Sequence, residues 1–216
     1  MKKIVRRAGL VTGILGGLGV TLSGYQSATT PFRDWPKFRT PAQKLVTHYS
    51  YFTLWSNIIG TYVCAQYARG KRPQSEAFLR INAVTMLVVT GGVFNTVLAE
   101  TTVVEGIGKF TNPIVHTIMP IAMPVIWLAD RPSTSEQDMT PSAMAKSFAI
   151  PAAWLAYTFI RGPRTGGYYP YEFLDPTKLG YPTAIRNVAG VTATLGALLA
   201  TMKAAENKLL ATNSAR

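Results

Sequence analysis

Residues 80–99, RINAVTMLVVTGGVFNTVLA, decide the fold class. After Arg80 the stretch carries no charged residue, and its length matches the roughly 20 residues with which an α-helix crosses a ~30 Å hydrocarbon core. Similar apolar blocks recur along the chain. Together the blocks lie near 8–25, 45–68, 80–99, 113–129, 143–161 and 183–203. The sequence therefore predicts an all-α, polytopic integral membrane protein, with one six-transmembrane-helix bundle over residues 1–216.

The composition supports this class. The 216 residues are 48% hydrophobic and only 15% charged, which in blocks of this length is too apolar for a soluble four-helix bundle. A signal peptide is the alternative for the first block, but Tyr25-Gln26-Ser27-Ala28 is only a loose cleavage site, so we expect a retained helix. Gly13 and Gly17 have the spacing that permits close helix approach. The single cysteine offers no disulfide and no thiolate cluster, and we expect no metal and no organic cofactor.

The net charge of +12 reflects membrane topology better than nucleic-acid binding, because the 22 basic residues are scattered over loops and ends. With the N-terminus in the cytoplasm, thirteen of the 22 lie on the inner side and nine on the outer side. This positive-inside bias predicts that both termini are cytoplasmic. The expected partners are the bilayer and a membrane lipid, with no nucleic acid, and the oligomeric state is open.

Two of the apolar blocks contain polar clusters. Residues 51–57 read YFTLWSN and residues 112–120 read NPIVHTIMP. Polar groups in hydrocarbon are costly and mark functional sites by default. Both blocks run from the outer to the inner side in the predicted topology, so we expect Thr53 and His116 to share a cavity in the outer half of the bundle.

A hydroxyl beside an imidazole suggests covalent ester hydrolysis. Thr53 would be the nucleophile and His116 the general base. Asn57 lies one turn after Thr53 on the same helix face, where its amide would stabilise an oxyanion or position the ester. Ser56, beside that face, is the second candidate for this role. A backbone carbonyl, Tyr171 and Asp175 are open as the group that orients His116.

The long loop at 161–182 is rich in glycine, proline and tyrosine, which suits an ordered lid on the same side of the membrane. A simple aromatic anchor at the membrane interface is the alternative. The residues expected at the substrate entrance are the aromatics Trp35, Trp55, Tyr168, Tyr169 and Tyr171, with Asp175 in the loop. The arginines Arg161, Arg164 and Arg186 would meet a fatty-acid carboxylate or reach toward lipid headgroups.

These motifs resemble the bacterial six-helix branch of the androgen-induced-protein family. The resemblance rests on YFTLWSN, on His116-Thr117-xx-Pro120, and on Arg161-Gly162 followed by YPYEFLD at 169–175, and it spans about residues 45–182. Animal members of this family are membrane threonine hydrolases that cleave fatty acid esters of hydroxy fatty acids. The resemblance implies that Thr53 is the nucleophile, that His116 is the base, and that the chain lies in a bacterial inner membrane.

The chain departs from the family pattern at Glu172, where proline is usual, and at Asp130, which is all that is left of an acidic-aromatic pair. Two other functions compete with hydrolysis. One is a non-catalytic lipid-binding membrane protein. The other is a b-type haem protein with His48 and His116 as axial ligands.

Overall fold

A computed structural model describes residues 1–31 and 37–214, with side chains up to residue 211. The described chain is helical and contains no strand. The α-helices are α1 (Lys3–Thr29), α2 (Pro41–His48), α3 (Phe52–Ala68), α4 (Ala77–Val93), α5 (Gly108–Pro113), α6 (Met119–Asp130), α7 (Pro141–Ser147), α8 (Ala149–Arg164), α9 (Pro176–Leu179) and α10 (Tyr181–Ser214). Two π-helical turns interrupt them: Phe94–Leu98 continues α4, and Ile114–Ile118 joins α5 to α6.

Five continuous helical stretches are long and apolar enough to cross a membrane. They are Lys3–Thr29, Gln74–Leu98, Gly108–Ser133, Pro141–Arg164 and Tyr181–Ala211. Each coincides with one of the predicted spans, so the all-helical class is confirmed, with five helices that are compatible with membrane crossing. Pro113, Pro120, Pro124 and Pro151 do not end the continuous helical stretches that contain them. The π-helical turn after Pro113 absorbs part of the disturbance.

The predicted second span, 45–68, is divided in the structure. Its first residues belong to α2, and α3 has 17 residues, about 25 Å at 1.5 Å per residue. At the break the carbonyl of Tyr49 accepts a hydrogen bond from the indole of Trp55 at 2.9 Å, and that of Ser50 accepts one from Trp154 at 2.8 Å. Two tryptophans therefore satisfy backbone groups that a helix would otherwise satisfy.

Helix α1 packs closely along α3 through glycines. A Cβ on Gly9 would lie 2.9 Å from the carbonyl oxygen of Cys64, and a Cβ on Gly13 would lie 3.3 Å from the Cys64 Cβ. Gly16 leaves still less room, whereas a Cβ on Gly17 would meet nothing closer than 4.0 Å. The expected pair Gly13 and Gly17 is thus corrected: Gly9, Gly13 and Gly16 make the close approach, because they share the face turned toward α3.

The end of the bundle where α3 finishes holds a buried group of charges, here called the ion cluster. Its members are Arg72, Arg80, Asp130, Arg131, Asp138 and Glu206, all buried to at least nine-tenths of their side chains or, for Glu206, completely. Three guanidinium groups face three carboxylates, so the cluster is formally neutral. It links the 131–139 loop to α4 and α10.

Asp138 lies at the centre of the ion cluster. Its carboxylate pairs with Arg80 at 2.6 Å, with Arg131 at 3.0 Å and with Arg72 at 3.0 Å, and it also accepts a hydrogen bond from Trp127 at 3.0 Å. Burial raises the pKa of Asp138, but the ion pairs and hydrogen bonds with the three arginines outweigh it and leave the pKa lowered. A charge held this way is stable only while all of its partners remain.

Candidate active site

The structure brings Thr53 and His116 together at the opposite end of the bundle from the ion cluster. Thr53 lies in the first turn of α3, and His116 lies in the π-helical turn Ile114–Ile118. The Thr53 hydroxyl is 3.4 Å from His116 Nε2. This separation is at the long end for a hydrogen bond, as is common for catalytic pairs without substrate. The two residues are 63 positions apart in sequence, so only the packing of the helices joins them.

Asn112 orients the imidazole of His116. Asn112 Oδ1 lies 2.5 Å from His116 Nδ1, and an amide oxygen can only accept, so Nδ1 carries the proton. In the neutral ring, Nε2 then presents its lone pair to Thr53. The ring of Phe94 stacks on the imidazole with centroids 3.7 Å apart and planes at 13°. The imidazole is therefore fixed in both tautomer and orientation.

Pro120 explains how the backbone around His116 is held. Proline has no N–H, so it leaves carbonyls of the preceding turn without a helical donor. Asn95 donates to the His116 carbonyl at 3.0 Å, and Asn57 donates to the Val115 carbonyl at 3.1 Å. Two asparagines from neighbouring helices thus replace the missing backbone bonds and fix the turn that carries His116.

This placement corrects the role expected for Asn57. Its amide nitrogen donates to the carbonyls of Thr53 and Val115, and the residue is completely buried away from the cavity. Ser56 is also fully buried, where its hydroxyl bonds to the Thr53 carbonyl at 2.8 Å and to the Thr90 hydroxyl at 2.9 Å. Both side chains stabilise the helix interface and do not face the space in which an oxyanion would form.

Tyr171 lies next to Thr53. Its hydroxyl oxygen accepts a hydrogen bond from the Thr53 N–H at 3.3 Å and lies 3.3 Å from the Thr53 hydroxyl. Burial raises the pKa of Tyr171, and the hydrogen bonds from Thr53 offset only part of that effect. The phenol is therefore neutral and keeps a proton to donate. Tyr171 contacts Thr53, so the orienting role left open for it at His116 belongs to Asn112.

A cavity of about 200 Å³ adjoins Thr53. Among the described residues its wall contains no charged side chain, and its polar groups are hydroxyls and the indole N–H of Trp154. The residues from α3, α4 and its π-helical turn are Phe52, Thr53, Val89, Thr90, Val93, Phe94 and Leu98; the others are Phe148, Pro151, Ala152, Trp154, Leu155, Tyr171, Phe173, Leu174, Val188, Val191, Thr192 and Leu195. An apolar space of this kind suits an acyl chain.

The remaining residues predicted at the entrance lie elsewhere. Asp175 caps α9, where its carboxylate accepts from the Thr177 backbone at 2.8 Å, so it does not orient His116. Tyr169 is buried with its ring edge against Phe159. Arg161 donates to the Thr47 hydroxyl at 2.7 Å and lies over the ring of Tyr168. None of these side chains lines the cavity.

Some of the predicted entrance residues hold the loop in place. Tyr168 is buried, and its hydroxyl lies 2.6 Å from that of Tyr51. Arg161 and Arg164 line a second cleft outside the loop, while Arg186 is exposed on α10. Trp35 lies outside the described residues. The 161–182 loop is thus ordered over the site, and Tyr171 is the tyrosine that reaches the cavity.

The two histidines have different neighbours. His48 Nε2 lies 3.0 Å from the hydroxyl of Ser23 on α1, whereas His116 uses both ring nitrogens toward Asn112 and Thr53. Among the described residues no group of three or more histidine, cysteine or acidic side chains could hold a metal ion.

The sequence interpretation missed three residues around His116: Phe94, Asn95 and Asn112. Asn112 had a detectable signal, because it precedes His116 by four residues and such pairs share a helix face. Asn95 and Phe94 reach the site across a helix interface and carry no such local signal.

Comparison of the chain with models of known protein families, with curated proteins and with solved structures finds no match.

Proposed function

We propose that the protein is a membrane-embedded hydrolase of lipid esters, with Thr53 as nucleophile and His116 as general base. The observation that carries the proposal is the Thr53–His116 pair at 3.4 Å, with Asn112 on the far nitrogen of the ring, beside a cavity whose described lining is mainly apolar. A hydroxyl, an oriented base and an acyl-sized space are the parts that acyl transfer requires. The sequence resemblance to membrane threonine hydrolases agrees with this assignment.

The reaction proceeds in two steps. The Thr53 oxygen attacks the ester carbonyl while His116 Nε2 takes the hydroxyl proton, and the tetrahedral intermediate collapses as the imidazolium returns that proton to the departing alkoxide. The products at this stage are the alcohol and an acyl-threonine. Water then attacks the acyl-threonine, gives its proton to Nε2, and releases the fatty acid as Thr53 regains its hydrogen.

Tyr171 stabilises the charge on the carbonyl oxygen. Its neutral hydroxyl lies at the N-terminus of α3, within 3.3 Å of the attacking oxygen and next to the cavity. Both the phenol proton and the positive end of the helix dipole favour a developing negative charge at this place. Tyr171 therefore replaces Asn57 as the oxyanion donor in the mechanism.

The proposed membrane topology adds α3 as a sixth span. Although α3 is shorter than the other spans, it packs between α1 and α4, which are themselves long and apolar enough to cross the bilayer. A helix enclosed by two spans lies at membrane depth. Six crossings return the chain to its starting side, so both termini lie on one side of the membrane. The positive-inside bias makes that side the cytoplasm and puts the site in the outer half of the membrane, which by the resemblance is a bacterial inner membrane.

The test of the function is covalent labelling of the purified protein in detergent with a long-chain alkyl fluorophosphonate. We expect one label per chain, located on Thr53 by peptide mass spectrometry, followed by hydrolysis of neutral long-chain esters. If folded protein takes no label while a control hydrolase does, the apolar cavity is a lipid-binding site without chemistry.

Replacing Asn112 by alanine is expected to lower kcat by about 10- to 100-fold with little change in KM, since the imidazole loses the partner that fixes its tautomer. Asn112→Asp keeps an oxygen acceptor and is expected to recover most of the rate. Steady-state kinetics of the three proteins provide the measurement. Equal losses of kcat in Asn112→Ala and Asn112→Asp would indicate that Asn112 has a structural role only.

Tyr171→Phe removes one hydroxyl and keeps the ring contacts with Tyr51 and Trp154. We expect kcat to fall by about 10²-fold, with KM almost unchanged, because the lost bond exists mainly in the transition state. The matched control is Tyr168→Phe, which removes a hydroxyl that faces Tyr51 outside the cavity. If Tyr171→Phe lowers thermal stability but leaves kcat unchanged, the Tyr171 hydroxyl only stabilises the N-terminus of α3.

A further inference from the structure

Helices α8 and α10 form two walls of the cavity but do not close against each other. In the described part of the chain, α8 packs on α7 and is tied to the α2–α3 region by its hydrogen bonds to Ser50 and Thr47. In contrast, α10 packs on α4 and α9. No extensive contact joins α8 to α10. The two helices therefore share few close backbone contacts, although Leu155 and Val188 pack against one apolar cluster. The space between α8 and α10 along the cavity wall is here called the cleft.

The rim of this cleft is exposed while its floor is buried. Phe148, just before α8, is 39% exposed although it lines the cavity. Ala152 on α8 and Thr192 on α10 are also exposed cavity residues. In contrast, Trp154 and Leu195 are buried at 6% exposure each. The cavity thus opens sideways between α8 and α10.

The opening lies within the part of each helix that is apolar enough to span a membrane. Phe148 and Leu155 are seven residues apart, as are Val188 and Leu195, so each wall of the cleft extends about 10 Å along the helix axis. At that depth the surrounding medium is hydrocarbon. Exposed apolar residues elsewhere, such as Ile121 and Val125 on α6, also face lipid but do not line this cavity.

We propose that the cleft between α8 and α10 is the portal through which the acyl chain of an uncharged lipid ester passes from the bilayer to Thr53. The described residues of the cavity wall include no charged side chain, and a charged group there would be left without a partner in a medium of low polarity. The portal therefore selects esters whose groups next to the carbonyl are neutral. This inference rests on the proposed function for its substrate, whereas the route itself can be tested without catalysis.

The first experiment narrows the portal with Ala152→Trp and, separately, Thr192→Trp. We expect kcat/KM for a neutral long-chain ester, oleyl oleate in nanodiscs of uncharged lipid, to fall by about tenfold or more. The matched controls are Ile160→Trp on α8 and Ile185→Trp on α10, which are 54% and 61% exposed and do not line the cavity. Equal effects in portal and control variants would overturn the proposal.

The second experiment is photo-crosslinking in the Thr53→Ala protein, which does not need turnover. A neutral ester with a diazirine in its acyl chain is expected to label residues 148–155 and 188–195, and Ala152→Trp is expected to abolish most of that labelling. Equal labelling around Ile121 and Val125 would show that the chain has no preferred route. If crosslinks form at the portal but the wild-type protein hydrolyses no ester, the portal would be supported and the proposed hydrolase function would be overturned.

Discussion

Thr53→Ala abolishes fluorophosphonate labelling and lowers kcat for ester hydrolysis by about 10⁴-fold or more, if Thr53 is the nucleophile. No other cavity hydroxyl in the described residues lies within hydrogen-bonding distance of His116. Removal of a nucleophile disables the base as well, so the loss approaches that of the whole catalytic group. The measurement is in-gel labelling together with single-turnover hydrolysis.

Two variants make the Thr53 result specific. Thr53→Ser keeps an attacking oxygen and is expected to retain labelling, at a reduced rate because the lost methyl group no longer restricts the rotamer. Thr85→Ala removes a buried hydroxyl that donates to the Ile81 carbonyl within α4 and is expected to leave labelling unchanged. Labelling that persists in folded Thr53→Ala would assign the nucleophile to another residue and end the proposed mechanism.

Asp138→Asn is expected to reduce the free energy of unfolding by about 3–5 kcal/mol, because it leaves an uncompensated positive charge in the buried ion cluster. Asp138 is completely buried and pairs with three arginines. Thermal unfolding in detergent, followed by circular dichroism, measures the loss. We therefore expect the Asp138→Asn protein to be only marginally stable, although its candidate active site is unchanged.

The matched control for Asp138→Asn is Glu136→Gln. It removes a second carboxylate of the 131–139 loop, which pairs with Arg72 as Asp138 does. Glu136 lies 3.4 Å from Arg72, and its side chain is 56% exposed, so we expect a loss below about 1 kcal/mol. Similar losses in both variants would show that the loop, and not the burial of charge, determines the effect.

Acid should act on the ion cluster as Asp138→Asn does. The folded-state pKa of Asp138 lies below its usual value, so its contribution to stability is fully present above the unfolded pKa of about 3.9. That contribution is lost as the pH falls through the folded value, since the unfolded chain then binds the proton more readily. A wild-type melting temperature that falls more steeply at acid pH than that of Asp138→Asn would agree with this account.

The candidate active site shows why a proline inside an apolar helix can be useful. Pro120 leaves backbone carbonyls near His116 without donors, and Asn57 and Asn95 supply them from adjacent helices. Gly91 lets Pro120 approach, because a Cβ there would lie 2.7 Å from the Pro120 Cβ. The turn carrying His116 is thus held by neighbouring helices, which explains how an irregular segment can fix the position of an imidazole.

The sequence alone determined the helical class and five apolar helices, because hydropathy is a local property summed over neighbouring residues. It also identified Thr53 and His116 as polar groups that need partners. The role of Asn57 was predicted wrongly, since residue spacing shows which face a side chain occupies but not which group stands across from it.

The tertiary structure determined which groups pair with the buried polar side chains. Tyr171 meets Thr53 across 118 positions, and the ion cluster gathers charges from residue 72 to residue 206. Such contacts depend on how separate helices pack, because a buried polar group accepts whichever partner the packing brings within reach. Asn112 is the exception at the site, since it reaches His116 from one helical turn away in sequence. The local sequence marks Thr53 and His116 as polar residues in apolar segments, whereas their meeting at 3.4 Å follows from the packing of helices distant in sequence.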